Sequence, residues 1–232
     1  MAVKNKGFLS SKKHVFWQAF FITALFFILG LVLGVYMEQL RADATNVNFY
    51  NSEVSLYDSF ALGQVLQTSN ASCAIMKEDI TKFADQIYTE AQQLEQYDES
   101  NKLTESVKII HRKYDLLRTL LWINIMNVEE KNPNCHINTV VYLYIYDTPD
   151  VSIKAQQTAM SRVLQQMKSE EGDNVVLLPI ATDQKVDSLD FLLQKYNVTQ
   201  SPAIVINQKY ILYQIDTAAE IENYLNSTIS SQ

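Results

Sequence analysis

The chain contains two cysteines, Cys73 and Cys135, which lie far apart in the sequence. Distant thiols could form a structural disulfide, act as a redox pair or, together with His136, contribute to a metal site. A redox pair depends on the short spacing of a Cys-x-x-Cys motif, which is absent, and a zinc site needs a fourth ligand, which is not evident. The pattern therefore predicts a structural disulfide between Cys73 and Cys135, and thiol exchange stays open as the alternative.

The other residue types do not form a recognisable catalytic constellation. His111 stands beside Arg112 and Lys113, away from the main apolar stripe of its helix, which is typical of a solvated histidine. The sequence has no phosphate-binding glycine loop, Ser-His-Asp order or metal-ligand spacing. We therefore predict no catalytic residue, no cofactor and no metal. The formal net charge of -7 also argues against nucleic-acid binding, which requires a basic face.

An uncharged apolar segment, residues 15–37, predicts a transmembrane helix. Its sequence is VFWQAFFITALFFILGLVLGVYM, and as a helix it measures about 35 Å, enough to cross a hydrocarbon core of about 30 Å. Lysines are concentrated in the preceding basic tail, residues 1–14, so the positive-inside rule places the N-terminus in the cytoplasm. We expect a single-pass protein of the cell membrane with its C-terminal domain outside.

Two alternatives concern this segment. The residues Ala42-Asp43-Ala44 have the small-x-small form of a cleavage site, but the apolar run is longer than that of a typical signal peptide, which favours a retained signal anchor. Gly30 and Gly34 have the GxxxG spacing that lets two membrane helices approach closely. This spacing suggests a homodimer through the transmembrane helix, although glycines are also common in membrane helices in general.

The exterior chain begins with a polar linker, residues 38–52, and continues with a helical region, residues 53–134. Apolar residues recur at helical intervals in two stretches, residues 74–97 and 103–128. A polar turn at residues 98–101 separates the two stretches and predicts an antiparallel hairpin of coiled-coil type. Such a hairpin returns Cys73 and Cys135 to the same end, which agrees with a disulfide.

Residues 138–226 have the pattern of an α/β domain, and residues 227–232 form a tail. Aromatic and β-branched runs predict strands at residues 139–146, 175–181, 203–206 and 210–215. Amphipathic stretches predict helices at residues 152–169, 188–196 and 218–225. The order is β-α-β-α-β-β-α, and the first two strands should be parallel. Tyr142, Tyr144 and Tyr146 alternate along the first strand and should share one face of the sheet.

One stretch, residues 196–206 with the sequence YNVTQSPAIVI, resembles a diagnostic segment of the thioredoxin-like superfamily. In that family a helix ends at Tyr-x-Val, and a cis-proline opens the third core strand; Pro202 stands at this proline position. Residues 180–183 resemble the family's second strand with its terminal acid. The resemblance covers residues 138–226 and implies a thioredoxin-like domain.

The chain departs from this family where Cys-x-x-Cys is expected. The corresponding stretch, residues 146–153, reads YDTPDVSI and has no cysteine, so dithiol exchange by the family mechanism is excluded there. Asp147, Asp150 and Ser152 in this stretch are predicted to be turn and helix-cap residues. The cradle beside Pro202 could still bind an extended peptide by strand addition, as redox-active members hold their substrates.

These observations favour a non-enzymatic protein that is anchored in the membrane. Its redox-inactive thioredoxin-like domain would act as a binding or scaffolding module for a protein or peptide partner. The alternative is an extracytoplasmic thiol-disulfide oxidoreductase or chaperone-like protein that uses Cys73 or Cys135, which requires a free thiol of lowered pKa.

Overall fold

The computed structural model describes residues 12–68, 72–98 and 105–230. Most of the predicted basic tail, residues 1–11, and most of the predicted hairpin turn, residues 99–101, lie outside the described residues, as do residues 231–232 of the predicted C-terminal tail. The chain divides into two compact units, Met1–Asn51 and Ser52–Gln232. Each is considered by itself below.

The first helix, α1 (Lys12–Thr68), contains the apolar segment. Residues Val15–Glu38 are long and apolar enough to cross a membrane, and none of this window is buried within the protein. Residues 38–52, expected as a polar linker, are helical as well. This stretch contains no proline or glycine, so nothing in it ends the helix.

Helices α2 (Cys73–Asp98) and α3 (Glu105–Lys131) correspond to the two predicted amphipathic stretches. Their apolar faces meet in one core, which includes Ile80, Phe83 and Ile87 of α2 and Leu117, Leu121 and Ile125 of α3. Cys73 at the start of α2 and Cys135 beyond the end of α3 form a disulfide, with their Cα atoms 5.3 Å apart. The pairing that the sequence predicts is therefore present.

A four-stranded mixed sheet follows the helical region. Its strands are β1 (Thr139–Tyr144), β2 (Val176–Ala181), β3 (Ala203–Ile206) and β4 (Tyr210–Leu212), in the spatial order β2-β1-β3-β4. β1 and β2 are parallel, with Thr139 opposite Val176, as the β-α-β pattern predicts. β3 runs antiparallel to both β1 and β4.

Three helices connect or follow the strands: α4 (Val151–Glu171), α5 (Asp187–Lys195) and α6 (Ala218–Ser230). A short 3-10 turn, Gly172–Asn174, joins α4 to β2. Gly172, which follows α4, has a positive φ of 55°, which glycine adopts without the steric cost of a Cβ atom. From β1 onward the element order is the β-α-β-α-β-β-α order predicted from the sequence.

The sheet separates two apolar cores because alternate residues of each strand point to opposite faces. Val141 and Leu143 of β1 belong to the core that also contains residues of α2, α3 and α5. Val140 and Tyr142 belong to the core on the other face, which contains residues of α4 and α6. β1 is therefore buried on both faces, as is β3, the other inner strand.

Two strands end earlier than the sequence indicates. β1 stops at Tyr144 because Ile145 binds the side chain of Gln157 and the N–H of Tyr146 binds Asp183. β4 stops at Leu212, and the carbonyl of the next residue, Tyr213, accepts a hydrogen bond from Gln156 at 3.0 Å. In both places a side chain replaces a strand as the hydrogen-bond partner.

The β3–β4 turn yields a stability prediction. Asn207 and Gln208 have φ values of 46° and 54°, as in a type I′ turn, in which Asn followed by Gly is preferred. Gln208→Gly should therefore raise the free energy of unfolding by about 0.5–1 kcal/mol, because glycine has no Cβ to strain in this conformation. The measurement is chemical denaturation of the full chain in nanodiscs.

The matched control is Lys209→Gly, since Lys209 follows the turn without a positive φ. Glycine at position 209 should lower the free energy of unfolding, because it adds conformational freedom to the unfolded chain and relieves no strain in the folded one. Equal stabilisation by both variants would contradict the assignment of strain to Gln208.

Candidate functional site

The sheet has a polar edge at which three loops meet. The parallel strands β1 and β2 end there, and the antiparallel strand β3 begins there. We call this edge the rim and define it as Ile145, Tyr146 and Asp147 after β1, Thr182 and Asp183 after β2, and Ser201 and Pro202 before β3. The carboxyl ends of parallel strands are a frequent position for ligand sites in α/β proteins.

Pro202 lies at the rim, directly before β3. The Ser201–Pro202 peptide bond is cis, and Pro202 is buried. Because β3 begins only at Ala203, the missing N–H of Pro202 removes no bond from the strand ladder. The hydroxyl oxygens of Ser201 and Thr182 are 3.1 Å apart, so a hydrogen bond joins the loop before β3 to the end of β2.

The side-chain amide of Gln157 takes the place of a neighbouring strand beside Ile145. The N–H of Ile145 donates to Oε1 of Gln157 at 2.8 Å, and Nε2 of Gln157 donates to the Ile145 carbonyl at 3.1 Å. Pairing between β1 and β3 ends at Leu143 and Ala203. Hydrogen-bonded pairs alternate along an antiparallel ladder, and the next such pair in this register, Ile145 with Ser201, is not formed. The main chain of Ser201 therefore has no partner strand among the described residues.

Asp183 holds the loop that follows β1. Its Oδ1 accepts a hydrogen bond from the N–H of Tyr146 at 2.9 Å, and its Oδ2 accepts one from the N–H of Asp147 at 3.0 Å. The neighbouring Thr182 donates to the carbonyl of Tyr144 through its N–H and its hydroxyl, at 2.8 and 3.0 Å. The carboxylate of Asp183 thus satisfies two main-chain donors that the sheet leaves unpaired.

Asp150 and Ser152 have the capping roles that the sequence predicts. Oδ1 of Asp150 accepts hydrogen bonds from the N–H groups of Ser152 and Ile153, at 2.8 and 3.3 Å, at the start of α4. Asp147 is exposed, and its N–H is held by Asp183. Residues 147–152 therefore serve as the turn and cap that start α4.

Asp115 of α3 is a buried carboxylate beneath the rim that the sequence does not single out. It is 1% exposed, its Oδ1 accepts the N–H of Ala181 at 3.1 Å, and Nη1 of Arg118 lies 3.5 Å from the same oxygen. Its Oδ2 is buried without a hydrogen-bond partner among the described residues. In the sequence, the feature that indicates this carboxylate is the spacing of Asp115, Arg118 and Trp122, because residues three and four positions apart share one face of a helix.

Burial is the main cause that raises the pKa of Asp115 to about 7. The nearby carboxylate of Asp183 acts in the same direction, whereas Arg118 and the N–H of Ala181 favour the charged form and act against it. The end of β2 is thus held by a carboxylate that changes charge near neutral pH.

His111 is less solvated than the sequence suggests. Its ring centre lies 4.4 Å from that of Tyr146, and the residue is partly buried. The sequence indicates solvent because His111 lies off the main stripe of α3, but the loop after β1 covers it with an aromatic ring. His111 therefore borders the rim.

The disulfide lies at the opposite end of the sheet from the rim. Cys135 precedes β1, near the carboxyl end of α3, where Glu129 accepts the N–H of Ile137 at 3.0 Å. The rim follows β1, and a strand of six residues spans roughly 20 Å. Neither cysteine sulfur can therefore take part in chemistry at the rim without a large rearrangement.

The predicted membrane contact, Gly30 and Gly34, lies in α1 within the apolar segment Val15–Glu38. A Cβ atom added at either glycine would have no described atom within 4 Å. A helix dimer through this spacing stays a prediction. Among the described residues, no group of three or more His, Cys, Asp or Glu side chains could hold a metal ion.

The chain matches no family model, no curated protein and no solved structure.

The buried carboxylate leads to a prediction of pH-dependent stability. The folded protein holds the Asp115 proton more tightly than the unfolded chain, in which the pKa of an aspartate is about 4. The free energy of unfolding should therefore fall as the pH rises from about 4 to about 7 and then level off. Asp115→Asn should reduce this fall between pH 5 and pH 8 by on the order of 2 kcal/mol.

The measurement is denaturation of the full chain in nanodiscs, followed by the fluorescence of buried Trp122 with Trp17 replaced by Phe. Glu130→Gln, which removes an exposed carboxylate from the same helix, should leave the pH profile unchanged. A profile that is the same in the wild type and Asp115→Asn would refute a buried titrating carboxylate.

Proposed function

We propose that this is a single-pass, membrane-anchored protein whose thioredoxin-like domain lies outside the cytoplasm and binds an extended segment of a partner protein at the rim, without thiol chemistry. The observation that carries the proposal is the position of the cysteines. Both belong to one disulfide at the far end of the sheet from Pro202.

The thioredoxin-like assignment is supported by topology and by Pro202 together. The β-α-β-α-β-β-α order forms a mixed sheet in which the first two strands are parallel and the last two antiparallel to their neighbours. A cis-proline stands directly before the third strand, as in the family that the sequence resembles. The redox motif of that family is replaced by the turn and cap that start α4.

The proposed membrane anchor and its proposed orientation are supported by the N-terminal segment. Residues Val15–Glu38 can span a membrane, and lysines are enriched before this span, which favours a cytoplasmic N-terminus. The disulfide supports an oxidising compartment for the remaining chain, because structural disulfides are rare in the cytosol.

Strand addition at Ser201 is the binding mode that the rim favours. The main chain of Ser201 continues the line of β3 but has no partner strand, because Gln157 occupies the main-chain groups of Ile145. The outer edge of β2 is less suitable. Pro179 lacks an N–H, and the N–H of Ala181 is taken by Asp115. An extended peptide could therefore pair its main chain with Ser201.

Thiol-disulfide exchange by Cys73 and Cys135 is the weaker alternative, and it is directly testable. The full chain in nanodiscs should reduce or oxidise a dithiol model peptide in glutathione buffer no faster than empty nanodiscs. The Cys73→Ser/Cys135→Ser variant is the control. A rate above background in the wild type that disappears in this variant would establish the enzyme instead.

Peptide binding is tested by a photo-crosslinker placed at the rim. Peptides selected from a displayed random library on the full chain in nanodiscs should cross-link to p-benzoylphenylalanine at the exposed position Gln200. The matched control position is Asn226, which is exposed near the far end of α6. The proposal fails if no peptide is enriched over empty nanodiscs, or if cross-links form equally at both positions.

A further inference from the structure

A cavity of about 570 Å³ lies beside β2, on the sheet face that carries α4. Its floor includes Tyr142 and Tyr144 of β1 and Leu177 and Pro179 of β2. We call it the tyrosine cavity. Ligand sites in proteins commonly have volumes of about 300–1,000 Å³, so the cavity has the size for a small molecule.

The cavity exists because the two helices on one face of the four-stranded sheet do not cover its edge strand completely. On this face α4 and α6 bury Val140 of β1 and Ile204 and Ile206 of β3. Leu177 and Pro179 of the edge strand β2 are only half-buried on the same face. A concave space lies over this uncovered edge, between α4 and Tyr88 of α2. The Tyr88 side chain is beyond the edge of the sheet.

Aromatic rings form much of the wall. The rings of Tyr142 and Tyr144 are stacked, with centres 5.6 Å apart and planes inclined by 20°. His111 and Tyr146 form a second ring pair at another part of the wall. The hydroxyl of Tyr142 donates to the carbonyl of Gln157 at 3.1 Å, which fixes this ring in the floor. A planar ring bound here would find stacking and edge-on partners.

The charges of the wall are all of one sign. Among the described residues that line the cavity there is no Asp or Glu, whereas Arg118 and Arg162 both line it. Arg118 is largely buried and is already paired with Asp115 behind the wall. Arg162 is exposed on α4 and forms no ion pair with another described residue. In a chain of net charge -7, the described lining of this cavity thus carries cationic side chains and no carboxylate.

We propose that the tyrosine cavity binds a small planar aromatic compound that carries one anionic group, a carboxylate or a phosphate. The ring lies against Tyr142 and Tyr144, and the anionic group meets the guanidinium of Arg162, which can hold either oxyanion through paired hydrogen bonds. This site adjoins the rim, because Tyr146 belongs to both, but its lining does not include Ser201, where contact with a partner segment is proposed.

The test uses the full chain in phosphatidylcholine nanodiscs, with empty nanodiscs as the blank for partition into lipid. The probes are naphthalene-2-carboxylate, 2-naphthyl phosphate and the uncharged naphthalene-2-carboxamide, titrated by calorimetry. At least one anion should bind saturably and about tenfold more tightly than the carboxamide, the factor expected for one satisfied charged hydrogen-bond pair. The tighter of the two anions identifies the class of the natural ligand.

Matched variants separate the cavity from the rest of the surface. Arg162→Gln should weaken binding of the anion about fivefold or more, whereas Lys154→Gln, which removes an exposed cation from the same helix outside the cavity, should leave it unchanged. Tyr88→Ala should weaken all three probes, and because Tyr88 is 44% exposed this variant is expected to fold.

Three results would overturn the proposal. They are equal affinity for the carboxamide and the anions, unchanged affinity in Arg162→Gln, and the absence of saturable binding at millimolar probe concentrations. Cross-linking of peptides at Gln200 is scored separately, so either proposal can fail without the other.

Discussion

Where the sheet stops, side chains rather than a neighbouring strand bind the main-chain polar groups of residues 145–147, and these hydrogen bonds organise the rim. β1 is an inner strand that is buried on both faces, but beyond its end Ile145 and Tyr146 are only half-buried and Asp147 is exposed, and no neighbouring strand pairs with these residues. Gln157 from α4 and Asp183 from the end of β2 supply the partners. The side chain of Gln157 thereby prevents β3 from pairing further along β1. It leaves Ser201 as an open strand position beside Pro202, and this is the geometry on which the proposed binding mode rests.

The uneven covering of the two sheet faces explains the second feature of the domain. One face is covered by residues of α2, α3 and α5 together with the disulfide, and Asp115 of α3 binds the end of β2. The other face has α4 and α6, which leave the edge strand half-covered. The same edge strand, β2, has Pro179 and the bonded N–H of Ala181 along its outer edge and borders an open cavity on one face. The cavity proposed for a small ligand and the strand position proposed for a peptide therefore lie at different parts of one sheet.

The sequence predicts those parts of the structure that depend on local patterns. The period of apolar residues locates α2 and α3, β-branched runs locate the strands, and the hairpin geometry brings Cys73 and Cys135 together. The parts that it does not predict depend on contacts between distant residues. The early end of β1 depends on Gln157 and Asp183, and the raised pKa of Asp115 depends mainly on its burial in the folded domain. Residues 38–52 look like a linker because they are polar, yet they lack any residue that breaks a helix.

The state of the two thiols in the native cell tests the central claim most directly, because the proposed function requires a structural disulfide and a rim without thiol chemistry. The full chain, isolated from its native cell in the presence of an alkylating reagent, is denatured and analysed by mass spectrometry before and after reduction. The account predicts that Cys73 and Cys135 are both protected before reduction and are found in one cross-linked peptide pair. Free alkylated thiols, or either cysteine in a mixed disulfide with another protein, would contradict it and point to thiol-exchange chemistry.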